Sequence, residues 1–279
     1  MSSKKLVLVT GSNKGIGYGI IEALLKKKSN FRIILTSRNE QLGLKSFNQL
    51  LEKYPYSKNN FFYHQLDITK ESSISHLIEW IRKEFGKIDY LVNNAGLGTH
   101  GVHHDLNKHN AVLEVNVFGT INFTEEMIRN KMINKKGKII LVGSLAGCIY
   151  FLSSNKLKNA FKNAKTTQDL LNLAQAYKNS FLKGTEQLEG WYSKSYYVSK
   201  MIINSYPRIL SYRKEIQEND ISVYSIHPGW VNTDMGGRGA PLSYKQGAEC
   251  EVFLLELPDG INEKYQGKFF DRFNLSSFE

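Results

Sequence analysis

The sequence has 279 residues, of which 41% are hydrophobic and 23% charged, as expected of a globular protein with a sizeable core. No apolar run reaches the roughly 18 residues of a membrane span and no signal core opens the chain, so we expect a cytoplasmic protein without membrane contact. The net charge of +11 comes from scattered lysines without interleaved aromatic residues, which argues against a nucleic-acid partner.

In chain order, apolar runs of strand length alternate with stretches of helical periodicity. The predicted strands span residues 6–10, 31–36, 61–66, 88–92, 138–142, 221–226 and 268–270. The predicted helices span residues 17–28, 40–53, 69–86, 106–132, 195–215 and 243–256, the third opening with a capping signal at Thr69 or Ser72.

This alternation, with strands that are apolar throughout, is typical of a parallel sheet covered by helices on both faces. We therefore predict an α/β fold of the Rossmann type, with a doubly wound parallel sheet. Right-handed crossovers place the carboxyl ends of the strands along one edge, where ligands bind in such folds. The sequence shows no internal repeat and no linker, so residues 1–279 are predicted to form a single domain.

One segment, residues 146–190, interrupts this alternation where a connection of a few residues usually suffices. Within it, TTQDLLNLAQAYKNSFLKG begins with a Thr-x-x-Asp capping pattern and ends at Gly184. It carries an apolar stripe formed by Leu170, Leu173, Ala174, Tyr177 and Phe181. We predict a helical insertion that packs against the main body.

A glycine-rich turn, TGSNKGIG at residues 10–17, joins the first predicted strand to the first predicted helix. Glycines there let the backbone approach a pyrophosphate, and the helix amino terminus adds N–H donors and a positive dipole. The pattern is GxxxGxG rather than GxGxxG, and no Gly-Lys-Ser/Thr follows that would bind a nucleoside triphosphate. The predicted dinucleotide contacts in this turn are Gly11, Asn13, Lys14, Gly15, Ile16 and Gly17.

The end of the second predicted strand favours NADP(H) over NAD(H). NAD-binding proteins tend to carry an acidic residue there for the ribose hydroxyls, whereas this chain has Ser37 followed by Arg38. Arg38 and Lys14 would both attract a 2′-phosphate, because charge-assisted contacts to phosphate are strong. The alternative is that both cations are solvated surface residues.

Seven short segments occur in the order found in a known family. They are TGSNKGIG (10–17), LDI (66–68), NNAG (93–96), EVNVFG (114–119), LVGS (141–144), YYVSK (196–200) and HPGWVNTDM (227–235). Together they resemble the short-chain dehydrogenase/reductases over essentially the whole chain, and within that family the monomeric carbonyl reductases. The resemblance implies an NADP(H)-dependent monomer that acts on a small carbonyl substrate, its insertion covering the surface that other members use to oligomerise.

The resemblance also implies further cofactor contacts, at the ends of the third, fourth and sixth strands. The positions that match the family's adenine, ribose and carboxamide contacts hold Asp67, Ile68, Asn94, Ala95, Gly96, Pro228, Gly229, Val231 and Thr233. One departure weakens the NADP(H) prediction, because Leu42 stands where carbonyl reductases often carry a second basic residue. Lys45 could substitute from the next turn of the helix.

Reduction of a carbonyl requires a hydride at carbon, a proton at oxygen and donors aimed at the developing alkoxide. A tyrosine with an ordinary pKa near 10 exchanges its proton slowly at neutral pH unless a nearby ammonium lowers that pKa. Tyr196 and Lys200 are spaced i and i+4, which places them on one face of a helix.

The resemblance then assigns catalytic roles to four residues. Tyr196 would be the general acid in reduction and the general base in oxidation, while Lys200 would lower its pKa and bind the nicotinamide ribose. Ser144 would orient and polarise the substrate carbonyl, and Asn116 would hold a water that relays protons to Lys200. Taken separately, each could be an ordinary surface or structural residue.

Other residues near these motifs have more than one interpretation. The histidines after NNAG lack a partner that would complete a metal site, so no metal is predicted; they are His100, His103, His104 and His109. Residues 231–245 could form a mobile lid over the substrate or an ordinary loop. The candidate walls of the substrate pocket are Trp191, Tyr192, Tyr197 and Trp230.

We expect an NADPH-dependent carbonyl reductase acting on ketones, aldehydes or quinones, with alcohol oxidation as the reverse reaction. One alternative is a specialised reductase of terpenoid or alkaloid ketones with the same layout. Another is an NADP-binding regulator that has lost the chemistry. Such a regulator would be expected to lack Tyr196, Lys200 or Ser144, and this sequence keeps all three.

Overall fold

The computed structural model describes residues 4–27, 31–98 and 105–279, and its centre is an eight-stranded sheet. The strands are β1 Lys5–Val9, β2 Phe31–Ser37, β3 Phe61–Gln65, β4 Ile88–Asn93, β5 Ile133–Val142, β6 Ser222–His227, β7 Phe269–Asp271 and β8 Asn274–Ser276. They lie in the order 3-2-1-4-5-6-7-8; β1 to β7 pair in parallel and β8 runs antiparallel to β7. The order reverses between β1 and β4, the point where such sheets bind ligands.

Helices cover both faces of the sheet. They are α1 Gly15–Lys26, α2 Glu40–Lys53, α3 Glu71–Glu84, α4 Leu106–Leu113, α5 Thr120–Arg129, α6 Asn155–Asn163, α7 Thr167–Lys183, α8 Ser195–Ser211, α9 Lys214–Glu218 and α10 Tyr244–Glu256. Apolar residues of α1, α2 and α10 form one core layer, and those of α3, α4, α5 and α8 form the other. The predicted doubly wound α/β fold of the Rossmann type is thus confirmed. Among the described helices, none has the length and apolar character needed to cross a bilayer.

Three predicted elements differ from the structure. The helix expected over 106–132 is interrupted by a π-helical segment, Glu114–Gly119, and the helix expected to reach residue 215 ends at Ser211. The capping signal at Thr69 or Ser72 was wrong, because α3 follows Lys70 without a side-chain cap and the Thr69 hydroxyl donates to Asp67 instead.

The segment 146–190 contains α6 and α7 and packs onto α8. Thr166 and Asp169 form a reciprocal capping box at the start of α7, and Gly184 ends it with a φ of 69°. Arg208 of α8 donates hydrogen bonds to the backbone oxygens of Phe161 and Ala164, at 2.9 and 3.0 Å. The segment is therefore bonded directly to the helix on which the predicted Tyr–Lys pair lies.

The C-terminal part of the chain contacts residues from the middle of the sequence. β8 is exposed, and its lack of an apolar pattern explains why it escapes prediction. Beyond it, Phe278 is buried against Phe269, and its backbone oxygen accepts a hydrogen bond from Ile149 N at 2.7 Å. Ile149 follows the short 3-10 turn Leu145–Gly147, which begins directly after Ser144.

Helix α10 buries a glutamate in the core. Glu251 is fully buried, and neither carboxylate oxygen has a hydrogen-bond partner within the described chain. Burial raises the pKa of Glu251 from 4.5 to about 8, although the positive charge of Lys200 opposes the shift. The carboxyl is therefore protonated in the folded protein at pH 7 and ionised in the unfolded chain. Because folding takes up a proton in this range, stability falls as pH rises from about 4.5 to about 8.

Replacing Glu251→Gln removes this proton uptake. We expect the free energy of unfolding of the variant, relative to wild type, to increase with pH between about 5 and 8, by up to about 1.4 kcal/mol per pH unit. Urea denaturation at a series of pH values measures the difference. The control is Glu249→Gln, an exposed position on the same helix, which should differ from wild type by the same amount at every pH. A difference for Glu251→Gln that does not change with pH would contradict the assignment.

Candidate active site

A cleft of about 910 Å³ opens at the carboxyl ends of β1, β4, β5 and β6. Its volume is in the range of small-molecule and cofactor sites. Tyr196, Lys200 and Ser144 line it, together with most of the predicted cofactor contacts: Gly11, Asn13, Lys14, Gly15, Ile16, Arg38, Asp67, Ile68, Asn94, Ala95, Gly96, Pro228, Gly229, Val231 and Thr233. Gly17 lies behind the cleft surface, where α1 meets Asn94.

The glycine-rich turn packs tightly against the NNAG segment. Gly11 has a φ of 59°, and a Cβ there would lie 2.9 Å from the Cα of Ala95. A Cβ on Gly17 would lie 2.4 Å from Nδ2 of Asn94, which donates to the backbone oxygens of Thr10 and Gly11 at 2.9 and 3.1 Å. These glycines bring two strand ends together and leave the amino terminus of α1 at the cleft, where N–H donors favour an anion.

Positive charge predominates around the cleft. Its cationic lining residues are Lys14, Arg38, Lys194 and Lys200, against the carboxylates of Asp67 and Asp234. Arg38 is exposed at the rim, just beyond β2. Leu42 and Lys45 are not among the lining residues, so the structure gives no support to Lys45 as a substitute. A glycine cradle at a helix amino terminus, with a cationic rim, fits the phosphates of NADP(H).

Lys14 has a partner across the mouth of the cleft. Its Nζ lies 2.7 Å from Oδ2 of Asp234, in the loop after β6, and both side chains are mostly exposed. The ammonium of Lys14 lowers the pKa of Asp234. Beside this pair, the side chain of Thr233 would lie 3.4 Å from a Cβ on Gly15, so this loop meets the glycine-rich turn directly.

Tyr196 and Lys200 lie one turn apart near the start of α8, as their spacing predicts. Lys200 is buried, and its Nζ donates to the backbone oxygen of Val142 at 2.6 Å and lies 5.8 Å from the centre of the Tyr196 ring. Burial lowers the pKa of Lys200 to about 8, with an opposing effect from the carboxyl of Glu251.

Tyr196 is held in its protonated form by its surroundings. Burial raises the pKa of its phenol, and a hydrogen bond with the hydroxyl of Ser144 acts in the opposite direction. We expected Lys200 to lower this pKa, whereas the group that lowers it in the structure is Ser144. The ammonium of Lys200 donates to the backbone oxygen of Val142. Ser144 follows β5 and is itself buried.

Asn116 lies in the π-helical segment, behind the wall of the cleft. Its Oδ1 accepts from Leu97 N at 2.7 Å, and its Nδ2 donates to Leu97 O at 2.9 Å and to the Ser199 hydroxyl at 3.0 Å. Both ends of the amide are therefore bonded to protein, which leaves its expected role as a water holder without support from the side chain. The Ser199 hydroxyl donates in turn to the backbone oxygen of Tyr196 at 2.7 Å.

Of the candidate walls of the substrate pocket, some line the cleft and one is buried in the core. Trp191 is not a wall, because it is buried against Phe161 and Tyr177 in the core. Tyr197 and Trp230 do line the cleft. Tyr192 stacks on Tyr197 with ring centres 4.1 Å apart, and the ring of Phe151 lies 5.4 and 5.1 Å from these two. An aromatic cluster of Tyr192, Tyr197 and Phe151 thus adjoins Tyr196.

The loop of residues 231–245 is held by hydrogen bonds at its base and within it. Asn232 N donates to Leu242 O at 2.7 Å, and the indole N–H of Trp230 donates to Gly236 O at 2.9 Å. Met235 packs over Gly98, where a Cβ would lie 2.7 Å from its Cγ. The loop therefore forms a side of the cleft in this structure.

The predicted histidine group is described only at its last member. His100, His103 and His104 lie outside the described residues, and His109 is buried in α4, where it stacks on Phe181. Within residues 4–27, 31–98 and 105–279, no three His, Cys, Asp or Glu side chains are arranged to hold a metal ion.

Sequence reasoning missed Asn204, whose side chain bonds both backbone polar groups of Ser144. Its position four residues after Lys200 is the signal that could have indicated it, since Tyr196, Lys200 and Asn204 share one helix face. Buried Glu251 carried no such signal, because α10 could present any of several faces to the sheet.

Comparison with known proteins places these features in a family. Residues 5–156 match the family model described as short chain dehydrogenase. The NADPH carbonyl reductase 1 of Rattus norvegicus is 33% identical over 96% of each chain. The (+)-neomenthol dehydrogenase of Arabidopsis thaliana is 29% identical over 98% of each chain. The structure of salutaridine reductase from Papaver somniferum has a TM-score of 0.84 and 25% identity, covering 96% of this chain and 99% of that one.

The family model covers more than half of the chain, and the rat relative exceeds 30% identity over nearly all of it. The candidate residues that line the cleft lie at the carboxyl edge of the sheet. The chain belongs to the short-chain dehydrogenase/reductase family.

Proposed function

We propose that this chain is an NADPH-dependent carbonyl reductase, acting on ketones, aldehydes or quinones and oxidising alcohols in reverse. Its family makes it an oxidoreductase of CH–OH and C=O groups. The observation that carries the proposal is the meeting of Tyr196, Ser144 and Lys200 in one cleft, whose other end is a glycine cradle with a cationic rim. The names of the NADPH carbonyl reductases among its relatives support NADP(H) as the cofactor.

Tyr196 and Ser144 would act together on the oxygen of the substrate. Both side chains line the cleft, and Ser144 is near enough to lower the pKa of the Tyr196 phenol, so a carbonyl oxygen bound there could accept a hydrogen bond from each hydroxyl. As negative charge develops on that oxygen, Tyr196 would donate its proton and Ser144 would donate a hydrogen bond. Bound NADPH would supply the hydride that reaches the carbonyl carbon. Because burial raises the pKa of Tyr196, the phenol is in the acid form that reduction requires.

Lys200 would return the proton to Tyr196 after each reduction. A pKa of about 8 keeps its ammonium largely protonated at neutral pH and lets it exchange a proton readily. Its Nζ lies 5.8 Å from the centre of the Tyr196 ring, one helical turn away on the same face of α8. The bond to Val142 O fixes the ammonium at this distance.

The cofactor would be held at both ends of the cleft. The turn from Gly11 to Gly17 would receive the pyrophosphate at the start of α1, and Lys14 and Arg38 would bind the 2′-phosphate. Val231 and Thr233, in the loop after β6 that meets the glycine-rich turn, would hold the carboxamide.

A second candidate is a reductase of bulky terpenoid or alkaloid ketones. The cluster of Tyr192, Tyr197 and Phe151 beside Tyr196 favours a substrate with an extended apolar surface. The fold likeness to salutaridine reductase and the similarity to a neomenthol dehydrogenase support the same candidate. NADPH consumption with menadione and isatin against a panel of cyclic terpenoid ketones would separate the two.

Tyr196→Phe removes the proposed acid and should lower kcat for carbonyl reduction by about 10²–10⁴-fold. NADPH affinity should stay within about twofold, because the ring remains. NADPH oxidation with menadione measures the first quantity, and quenching of protein fluorescence by NADPH measures the second. In wild type, the oxidation of an alcohol should accelerate with rising pH, since that direction requires the phenolate of a tyrosine with a raised pKa.

The control for this variant is Tyr212→Phe, an exposed tyrosine just beyond the end of α8. It should retain the wild-type rate in both directions. Activity of Tyr196→Phe close to that of wild type would show that another group supplies the proton.

Asp234→Asn should raise selectivity for NADPH over NADH. Asp234 forms an ion pair with the ammonium of Lys14 and would repel a 2′-phosphate. Removing its charge should therefore lower the Kd of NADPH by up to about fivefold, which corresponds to the energy of an exposed ion pair. The Kd of NADH, which has no 2′-phosphate, should not change. Fluorescence titration with each cofactor at low salt measures both constants.

The matched control is Glu256→Gln, which breaks the exposed pair of Lys27 and Glu256 at the far end of α10. Both Kd values should be unaffected by it. If Asp234→Asn instead weakens NADPH and NADH equally, the ion pair serves only to close the loop over the cleft, and the assignment of Lys14 to the 2′-phosphate loses its support.

A further inference from the structure

Asn204 is a buried amide on the helix face that carries Tyr196 and Lys200. The three residues are spaced four apart along α8, and Asn204 is 1% exposed. It does not line the cleft and so has no access to a substrate. An amide buried this deeply has to bond its donors and its acceptor within the protein.

Both ends of the Asn204 amide bond the backbone of Ser144. Ser144 N donates to Oδ1 at 3.2 Å, and Nδ2 donates to Ser144 O at 2.8 Å. The last bond from β5 to its neighbour is that of Gly143 N to Ile226 O, at 2.8 Å. At Ser144, the next residue, the backbone N–H and oxygen therefore bond the side chain of Asn204 instead of a neighbouring strand.

Two glycines make room for this arrangement. A Cβ on Gly143 would lie 2.2 Å from Oδ1 of Asn204, and a Cβ on Gly147 would lie 2.6 Å from Nδ2. Gly147 is also close to the helix itself, since its Cβ would lie 2.4 Å from the carbonyl carbon of Lys200. The chain on both sides of Ser144 thus rests on α8 without intervening side chains.

We infer that Asn204 is a positioning residue, which fixes Ser144 to the helix that carries Tyr196 and so sets the distance between the two hydroxyls. The inference rests on the proposed function of Ser144 and Tyr196. Because one helix holds the phenol directly and the serine through Asn204, the pair moves as a unit. Rigid support of this kind matters, since a misplacement of about 1 Å can cost about 10²-fold in rate.

A double-mutant cycle separates positioning from a general role in stability. The variants are Asn204→Ala, Ser144→Ala and the double variant, with kcat measured for menadione and the Kd of NADPH measured by fluorescence. We expect Asn204→Ala to lower kcat by about 10–10²-fold with NADPH affinity within about twofold of wild type. In the Ser144→Ala background, the same change should lower kcat by less than about threefold, because no hydroxyl remains to be positioned.

Asn204→Leu provides a second variant that keeps the volume of the side chain and so preserves packing if the alanine variant is unstable. It should show the same loss of kcat. In alcohol oxidation, its pH–rate profile should move to higher pH, because loss of the Ser144 hydrogen bond leaves burial to raise the pKa of Tyr196 unopposed. A residue with only a structural role would not move this profile.

The control is Ser205→Ala, the next residue of α8, whose buried hydroxyl bonds Met201 O within the helix. It should retain the wild-type kcat and pH profile. The inference is overturned if the Asn204 and Ser144 effects multiply, or if Asn204→Leu keeps the wild-type kcat. If Ser144→Ala itself keeps full activity, the proposed role of Ser144 fails, and the inference fails with it.

Discussion

The architecture of the site depends on the direct bonding of α8 to the end of β5. Lys200 donates to Val142 O, and Asn204, one turn further along α8, bonds both backbone polar groups of Ser144. This contact is possible only because Gly143 and Gly147 carry no side chain. It brings a hydroxyl from the sheet to a phenol on the helix without a mobile loop between them. The proposed proton donor and the group proposed to orient the substrate therefore share one support.

Burial, rather than proximity of opposite charges, controls ionisation in this region. It raises the pKa of Tyr196 and of Glu251 and lowers that of Lys200, so each group favours its neutral form more than it would in water. The result suits reduction, which needs a protonated phenol at neutral pH. It also carries a cost in stability, since Glu251 lies unbonded in the core within the described chain. The ionisation of the proposed acid and the stability of the fold are thus linked through one desolvated region.

Features encoded in short stretches of sequence could be predicted, and features made by distant residues could not. The Tyr196–Lys200 pair and the box that starts α7 at Thr166 depend on neighbours within one turn, and the structure contains both. Asn116, in the π-helical segment, bonds Leu97 and Ser199, which are distant in sequence. Trp191 precedes α8 by a few residues, and only packing decides that it faces the core.

The bond between Ile149 N and Phe278 O has a consequence for biosynthesis. Residues on either side of the turn after Ser144 are synthesised well before Phe278, whose backbone oxygen accepts the hydrogen bond from Ile149 N. β6 likewise gains its neighbour β7 only when residues 269–271 emerge. A nascent chain held at residue 250 therefore contains every side chain of the proposed acid and its supports, yet lacks the strand and the tail that complete their surroundings. The surroundings of the cleft would therefore be complete only after residues 269–278 have been synthesised.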